Sequence, residues 1–143
     1  MLRIGKLTDY AMLILNEMAR DPESLISATA LADTLSLSTP TVSKILKILA
    51  EASLVTSVRG AVGGYKLNKP AAKITLVEVI EAMEGDLTMT ECCESTSLCA
   101  LGTMCAMQEN WVKINGLIKS MLARFSILDM VGPLSLEGVL NVK

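Results

Sequence analysis

Two short serine-capped helical segments followed by a glycine-rich break between β-prone stretches, all within residues 27–67, leave few folds open to this chain. Ser27 opens SATALADTL, where Leu31, Ala32 and Leu35 share one side. Ser38 opens TPTVSKILKILAEA, in which Val42, Ile45, Leu46 and Leu49 recur at helical spacing and Pro40 falls in the tolerant first turn. Beyond it, Leu54–Arg59 and Tyr65–Leu67 flank Gly60, Gly63 and Gly64, the signature of a hairpin with a longer loop. Helix, turn, helix and hairpin in this order predict a winged helix-turn-helix.

The flanking segments complete an architecture that is mainly α with a small β-hairpin wing. Thr8 is the expected N-cap of a first helix running to about Arg20, with Asp9 near its positive end. In ITLVEVIEAMEG, Thr75 and Glu78 form an expected capping box and Gly85 the terminator. A polar loop follows, and a last long helix starts near Met107. Along it Trp111, Ile114, Ile118, Met121, Phe125 and Leu128 alternate at spacings of three and four, a narrow seam suited to pairing with a second helix. The expected units are a DNA-binding domain over 1–85, a cysteine-rich loop over 86–106, a dimerisation helix over 107–130 and a tail over 131–143.

Charge separates along the chain. The net value is −2, yet between residues 38 and 69 Lys44, Lys47, Arg59, Lys66 and Lys69 face only Glu51. Attraction to phosphate acts over about a Debye length, so this local excess outweighs the total. A helix of this size fits the major groove and presents first-turn side chains to base edges. Ser38, Thr39, Thr41, Ser43 and Lys44 are the candidates for that surface. Arg59 is placed to enter a minor groove, and Gly60, Gly63 and Gly64 to let the wing backbone come close. The competing reading is a solvated helix face beside an ordinary hairpin.

All four cysteines lie between residues 92 and 105, and histidine is absent. The start, MLRIGKLTDYAML, lacks a signal-peptide layout, and no apolar run approaches the roughly 18 residues that span a bilayer. The expectation is a cytoplasmic protein with no membrane partner, whose thiols stay reduced. Without histidine no histidine-based triad is possible, and no phosphate-binding glycine loop occurs outside the wing, so an enzyme is not expected. Cys93, Cys99 and Cys105 form a C-x5-C-x5-C series, wider than the C-x2-C knuckle of structural zinc, and thiolates are the ligands of iron–sulfur clusters. An iron–sulfur cluster therefore leads over zinc, over a cluster-free thiol switch and over ordinary buried cysteines. A fourth donor could be a carboxylate, Cys92, Gln108 or a residue from elsewhere in a dimer.

Taken together, LRIGKLTDYAM, SVRGAVGGYKL, ITLVEVIEAMEG and the cysteine series resemble the iron–sulfur cluster regulator family of winged-helix repressors, the IscR, NsrR and SUF-operon regulator type. The likeness covers almost the whole chain, and the opening LRIGKLTDYA looks most like the SUF-system regulators, which repress cluster-assembly genes. The resemblance implies a homodimer paired through the long helix, binding double-stranded operator DNA. It also implies a [2Fe–2S] or [4Fe–4S] cluster on Cys93, Cys99 and Cys105. Where several relatives use histidine, this chain has Gln108; others use an acidic residue of the first helix, which corresponds to Asp9, donated across the dimer. The plainer role for Asp9 is to stabilise the first helical turn. A thiol-based redox regulator and an iron–sulfur electron carrier are the alternatives.

Overall fold

The computed structural model describes residues 3–95 and 99–137; residues 96–98 of the expected cysteine loop and 138–143 of the expected tail lie outside the described residues. Helix α1 (Lys6–Met18) is followed by α2 (Ala28–Leu35), α3 (Thr39–Glu51), strands β1 (Val55–Val58) and β2 (Gly64–Leu67), and α4 (Leu76–Glu84). The one-turn helix α5 (Glu91–Glu94) and the longer α6 (Gln108–Leu122) complete the order, with short 3-10 turns at Ala71–Lys73, Gly102–Met104 and Ile127–Met130.

Ile14 and Leu15 from α1, Leu31 from α2, Val42, Ile45, Leu46 and Leu49 from α3, and Val79 from α4 are fully buried in one core. Each such side chain contributes about 1.5–3 kcal/mol relative to exposure. The same burial orients α3, because turning its aliphatic arc inward leaves the opposite arc to solvent.

The expected caps form at α2, α3 and α4. Ser27 Oγ accepts from the Ala30 amide, and Ser38 Oγ from the Thr41 amide. At α4, Thr75 and Glu78 exchange hydrogen bonds in a capping box, and Gly85 ends the helix at φ 86°. Between α2 and α3, Ser36 adopts the left-handed conformation and the Leu37 amide reaches back to the Ala32 carbonyl, which closes the turn tightly.

β1 and β2 pair antiparallel, from Val55 opposite Leu67 to Val58 opposite Gly64. Ile26 exchanges both backbone hydrogen bonds with Tyr65, adding a bridge on the far side of β2. Asn68 fixes the wing to the end of α3: its amide group donates to the Ser53 carbonyl, and its side-chain oxygen accepts from the Thr56 hydroxyl.

Three expectations are corrected. Gly5, not Thr8, is the N-cap of α1, which ends at Met18 rather than Arg20. Thr8 is instead buried, and its hydroxyl donates to Glu84. The cysteine segment is not wholly loop, since α5 and a 3-10 turn lie within it. The last helix stops at Leu122 instead of running to 130. Beyond it, the Leu76 amide donates to the Phe125 carbonyl and the Ile127 amide to the Ile74 carbonyl. Phe125 packs against the core of its own chain, so pairing with the segment before α4 replaces further helix.

Lys69 forms an ion pair with Glu78 inside the α4 capping box. Burial raises the Glu78 carboxyl, but hydrogen bonds from Lys69 and from the Thr75 backbone and hydroxyl outweigh it and hold the pKa below the usual carboxylate value. A depressed folded pKa contributes stability that is complete above the unfolded value and fades as pH falls through the folded one. Glu78→Gln is expected to cost about 0.5–1.5 kcal/mol at neutral pH and nothing once the carboxyl is protonated. Urea denaturation at a series of pH values reads both limbs.

Candidate DNA interface and cysteine centre

Helix α3 begins with its own cap. Ser38 Oγ lies 2.6 Å from Thr41 Oγ1 and accepts from the Thr41 amide, so both hydroxyls are engaged locally at the helix N-terminus. Thr39 and Thr41 are half-buried, whereas Ser43, Lys44 and Lys47 stand exposed on the outer arc. Arg59 is exposed at the wing tip. Lys44, Lys47 and Arg59 form no ion pair among the described residues. Arg20, Lys69, Lys113 and Lys119, by contrast, each face a carboxylate. The uncompensated cations of α3 and the wing, spaced along one helix and the adjoining hairpin, make a surface suited to a polyanion. The helical spacing puts Lys47 on the polar arc without making it a DNA contact; its exposure beside Lys44 adds it to this surface.

The three wing glycines divide by cause. A Cβ on Gly63 would stand 2.2 Å from the Val58 carbonyl oxygen, and one on Gly64 2.8 Å from the Ile26 carbonyl oxygen. Both positions are explained by the close approach of the chain to itself. Gly60 has φ 123° with open space around it, so it sets the turn and leaves the tip uncrowded.

The cysteine segment lies between α4 and α6. Cys92 and Cys93 sit on α5, half-buried and unbridged. Thr90 precedes them, and its hydroxyl makes no cap; Oγ1 lies 3.0 Å from Cys92 Sγ and 3.2 Å from Cys93 Sγ. Cys99 and Cys105 flank the 3-10 turn. The Cys99 carbonyl accepts from the Gly102 amide, and the Cys105 amide donates to the Gly102 carbonyl. Both thiols are free and half-buried, and Gln108 lines a shallow cleft beside Cys105.

Accessible thiols without histidine suit a soft cofactor such as an iron–sulfur cluster. Their arrangement is open, however: among the described residues no three cysteine or carboxylate groups converge as a metal site. Asp9 is exposed in the first turn of α1 and lines a cleft with Arg3, Lys6, Ile80 and Leu122 that includes no cysteine.

Helix α6 divides its apolar surface. Ile118 and Leu122 are partly covered, Asn115 is buried, and Trp111 and Met121 are half-buried. Ile114 is 43% exposed and Leu117 50% exposed, so an aliphatic edge is left uncovered. Leu117 was missed by the sequence reading because the three-four seam passes through Ile118 instead.

A capped helix-turn-helix carrying a hairpin wing, with unpaired cations on both, defines a winged-helix DNA-binding transcription regulator. The profile of the Rrf2 family, described as an iron-dependent transcriptional regulator, matches residues 4–133, and the chain belongs to that family. It is 30% identical over 131 residues to the HTH-type transcriptional regulator NsrR of Oceanobacillus iheyensis, an alignment covering 90% of this chain and 84% of that one. Among solved structures, CymR (YrzC), the global cysteine regulator of B. subtilis, superposes with a TM-score of 0.67 at 27% identity, over 91% of this chain and 96% of that one. T. potens IscR gives 0.64 at 25% identity, over 91% and 86%. No described helix is long and apolar enough to cross a membrane.

The steric division of the glycines is directly testable. Gly63→Ala is expected to disorder the wing and weaken DNA binding at least tenfold, about 1.4 kcal/mol, while the helical core stays folded. Backbone amide shifts of β1 and β2, read beside far-ultraviolet dichroism, separate the two effects.

Proposed function

We propose that this chain is a homodimeric repressor whose hold on operator DNA is set by an iron–sulfur cluster on Cys93, Cys99 and Cys105. The observation that carries the DNA-binding half is the set of uncompensated cations on α3 and the wing. Ser43, Lys44 and Lys47 meet the major groove and the flanking phosphates, with Thr39 and Thr41 near base edges. Arg59 enters the minor groove behind Gly60. Ser38 acts through the cap that fixes the first turn.

The sensing half rests on three free thiols in a segment joined to α4 on one side and α6 on the other, and on the iron dependence in the family's description. A bound cluster would supply one rigid centre in place of three independent thiols, and Asp9 from the partner subunit would be the fourth donor. Expected targets are genes of cluster assembly, in a cytoplasmic setting. The uncovered edge of α6, Ile114 and Leu117 with half-buried Met121 and Trp111, pairs with the same edge of a second copy. Two-fold dimers with isologous interfaces are the commonest homo-oligomers.

A second reading, a cluster-free thiol regulator, is favoured by the two sulfurs gathered on the Thr90 hydroxyl and by the likeness to a cysteine regulator. Two variants separate the possibilities. Arg59→Ala is expected to weaken DNA binding and lower its salt slope by about 1 without changing iron content. Cys99→Ala is expected to abolish bound iron and leave the fold intact. Full iron content in Cys99→Ala removes the ligand assignment, and colourless, iron-free anaerobic wild type favours the thiol regulator. The dimer is tested by Leu117→Asp, which is expected to shift the protein to monomer in sedimentation equilibrium with its helix content retained.

A further inference from the structure

We propose that Asn115 is a positioning residue that couples the Cys92–Cys93 turn to α6; this rests on the reading of the cysteines as a sensor. Asn115 is the buried residue of α6, although the helix is otherwise amphipathic with aliphatic side chains available. Its Oδ1 accepts from the Met89 amide at 2.9 Å, and its Nδ2 donates to the Leu87 carbonyl at 3.1 Å. A leucine here would bury more apolar surface but would take this partner from two part-buried main-chain groups, at a cost in stability. The position is therefore given to holding the α4–α5 connector rather than to packing.

That connector is held from both sides. One helical turn beyond Asn115, Lys119 reaches Glu81 at 2.6 Å and Asp86 at 3.8 Å. In the opposite direction, Glu84 accepts from the Gly5 amide at 2.6 Å and from the Thr8 hydroxyl at 2.5 Å, tying the end of α4 to the start of α1. Residues 84–89 thus join the DNA-binding domain to α6. Thr90 follows Met89 directly, and its hydroxyl touches both sulfurs of α5.

An unbroken chain of contacts therefore runs from the Cys92 and Cys93 sulfurs to the Thr90 hydroxyl, the Met89 backbone, the Asn115 amide and α6. A chemical change at either sulfur that withdraws it from Thr90 acts one residue from the Met89 amide. Asn115 passes the displacement to the helix that the dimer shares. A test of this path reads the coupling itself.

Two measurements do so. In a Cys99→Ala/Cys105→Ala background only Cys92 and Cys93 react with N-ethylmaleimide, and Met89 amide exchange is followed before and after alkylation. Alkylation is expected to speed that exchange about tenfold, an opening made easier by loss of one local contact. With Asn115→Ala the exchange is fast throughout and does not respond; Thr90→Val abolishes the response and Thr90→Ser restores it.

The second measurement compares operator affinity with and without anaerobic reconstitution by ferric iron, sulfide and dithiothreitol, on a duplex selected from a random pool by the wild-type protein. A wild-type ratio of about 5- to 150-fold, the usual range for coupled sites, is expected to fall below about twofold in Asn115→Ala. Met89 exchange indifferent to alkylation, or an undiminished ratio in Asn115→Ala, overturns the coupling. A wild-type ratio of one with a responsive Met89 amide overturns the sensor reading and leaves the contact path standing.

Discussion

The burial of one face of α3 governs what the rest of the molecule can do. Val42, Ile45, Leu46 and Leu49 are fully enclosed by α1, α2 and α4, so the helix has no rotational freedom about its own axis. Its outer arc, with Ser43, Lys44 and Lys47, is then exposed by geometry, and the cap at Ser38 defines where the first turn begins. The wing inherits its position from the same helix. The Leu54 amide returns to the Leu49 carbonyl, and Asn68 fastens the hairpin base to Ser53 and Thr56. A rigid core thereby presents two cationic elements at a fixed spacing, which is what groove recognition demands.

Helix α6 follows the opposite rule. Its buried residue is an asparagine, and three of its aliphatic side chains, Val112, Ile114 and Leu117, are exposed, so little within one chain holds it. The ties it does have are polar: Asn115 to the connector backbone, Lys119 to Glu81 and Asp86. Hydrogen bonding to Glu81 is the leading cause that raises the Lys119 pKa, with opposing burial and further help from Asp86. Polar ties of this kind are directional and depend on register. They suit a joint that must shift between two arrangements better than a packed aliphatic seam, which resists sliding.

Much of the winged helix was legible in the sequence because its signals are local. Ser27, Ser38, Thr75, Glu78 and Gly85 act within one helical turn, and the glycines of the wing mark the hairpin tip. What could not be read came from contacts distant in sequence. Thr8 looks like a cap but is drawn inward by Glu84, 76 residues away. The three-four spacing through Phe125 and Leu128 continues the helical pattern, yet the chain leaves the helix at Leu122 because residues 125–127 pair with 74–76. Gly63 and Gly64 drew attention as places for DNA to approach, and their crowding against Val58 and Ile26 shows an internal reason for both. The role of Asn115 was invisible, since a lone polar residue in a helix carries no mark of what it will face. For the cysteine series, spacing marks candidate donors but not their convergence, which a single chain does not display among its described residues.

In the proposed mechanism the state of the Cys93, Cys99 and Cys105 segment decides how tightly the α3 and wing surface holds DNA. The most direct measurement is a fluorescence anisotropy titration of operator duplex, at one fixed salt concentration, with anaerobically purified protein carrying its full iron and sulfide and with the same protein after chelation. Affinities differing by at least about fivefold, the lower end of ordinary site-to-site coupling, are the expected result. Superimposable titration curves from two preparations whose iron contents differ would contradict it.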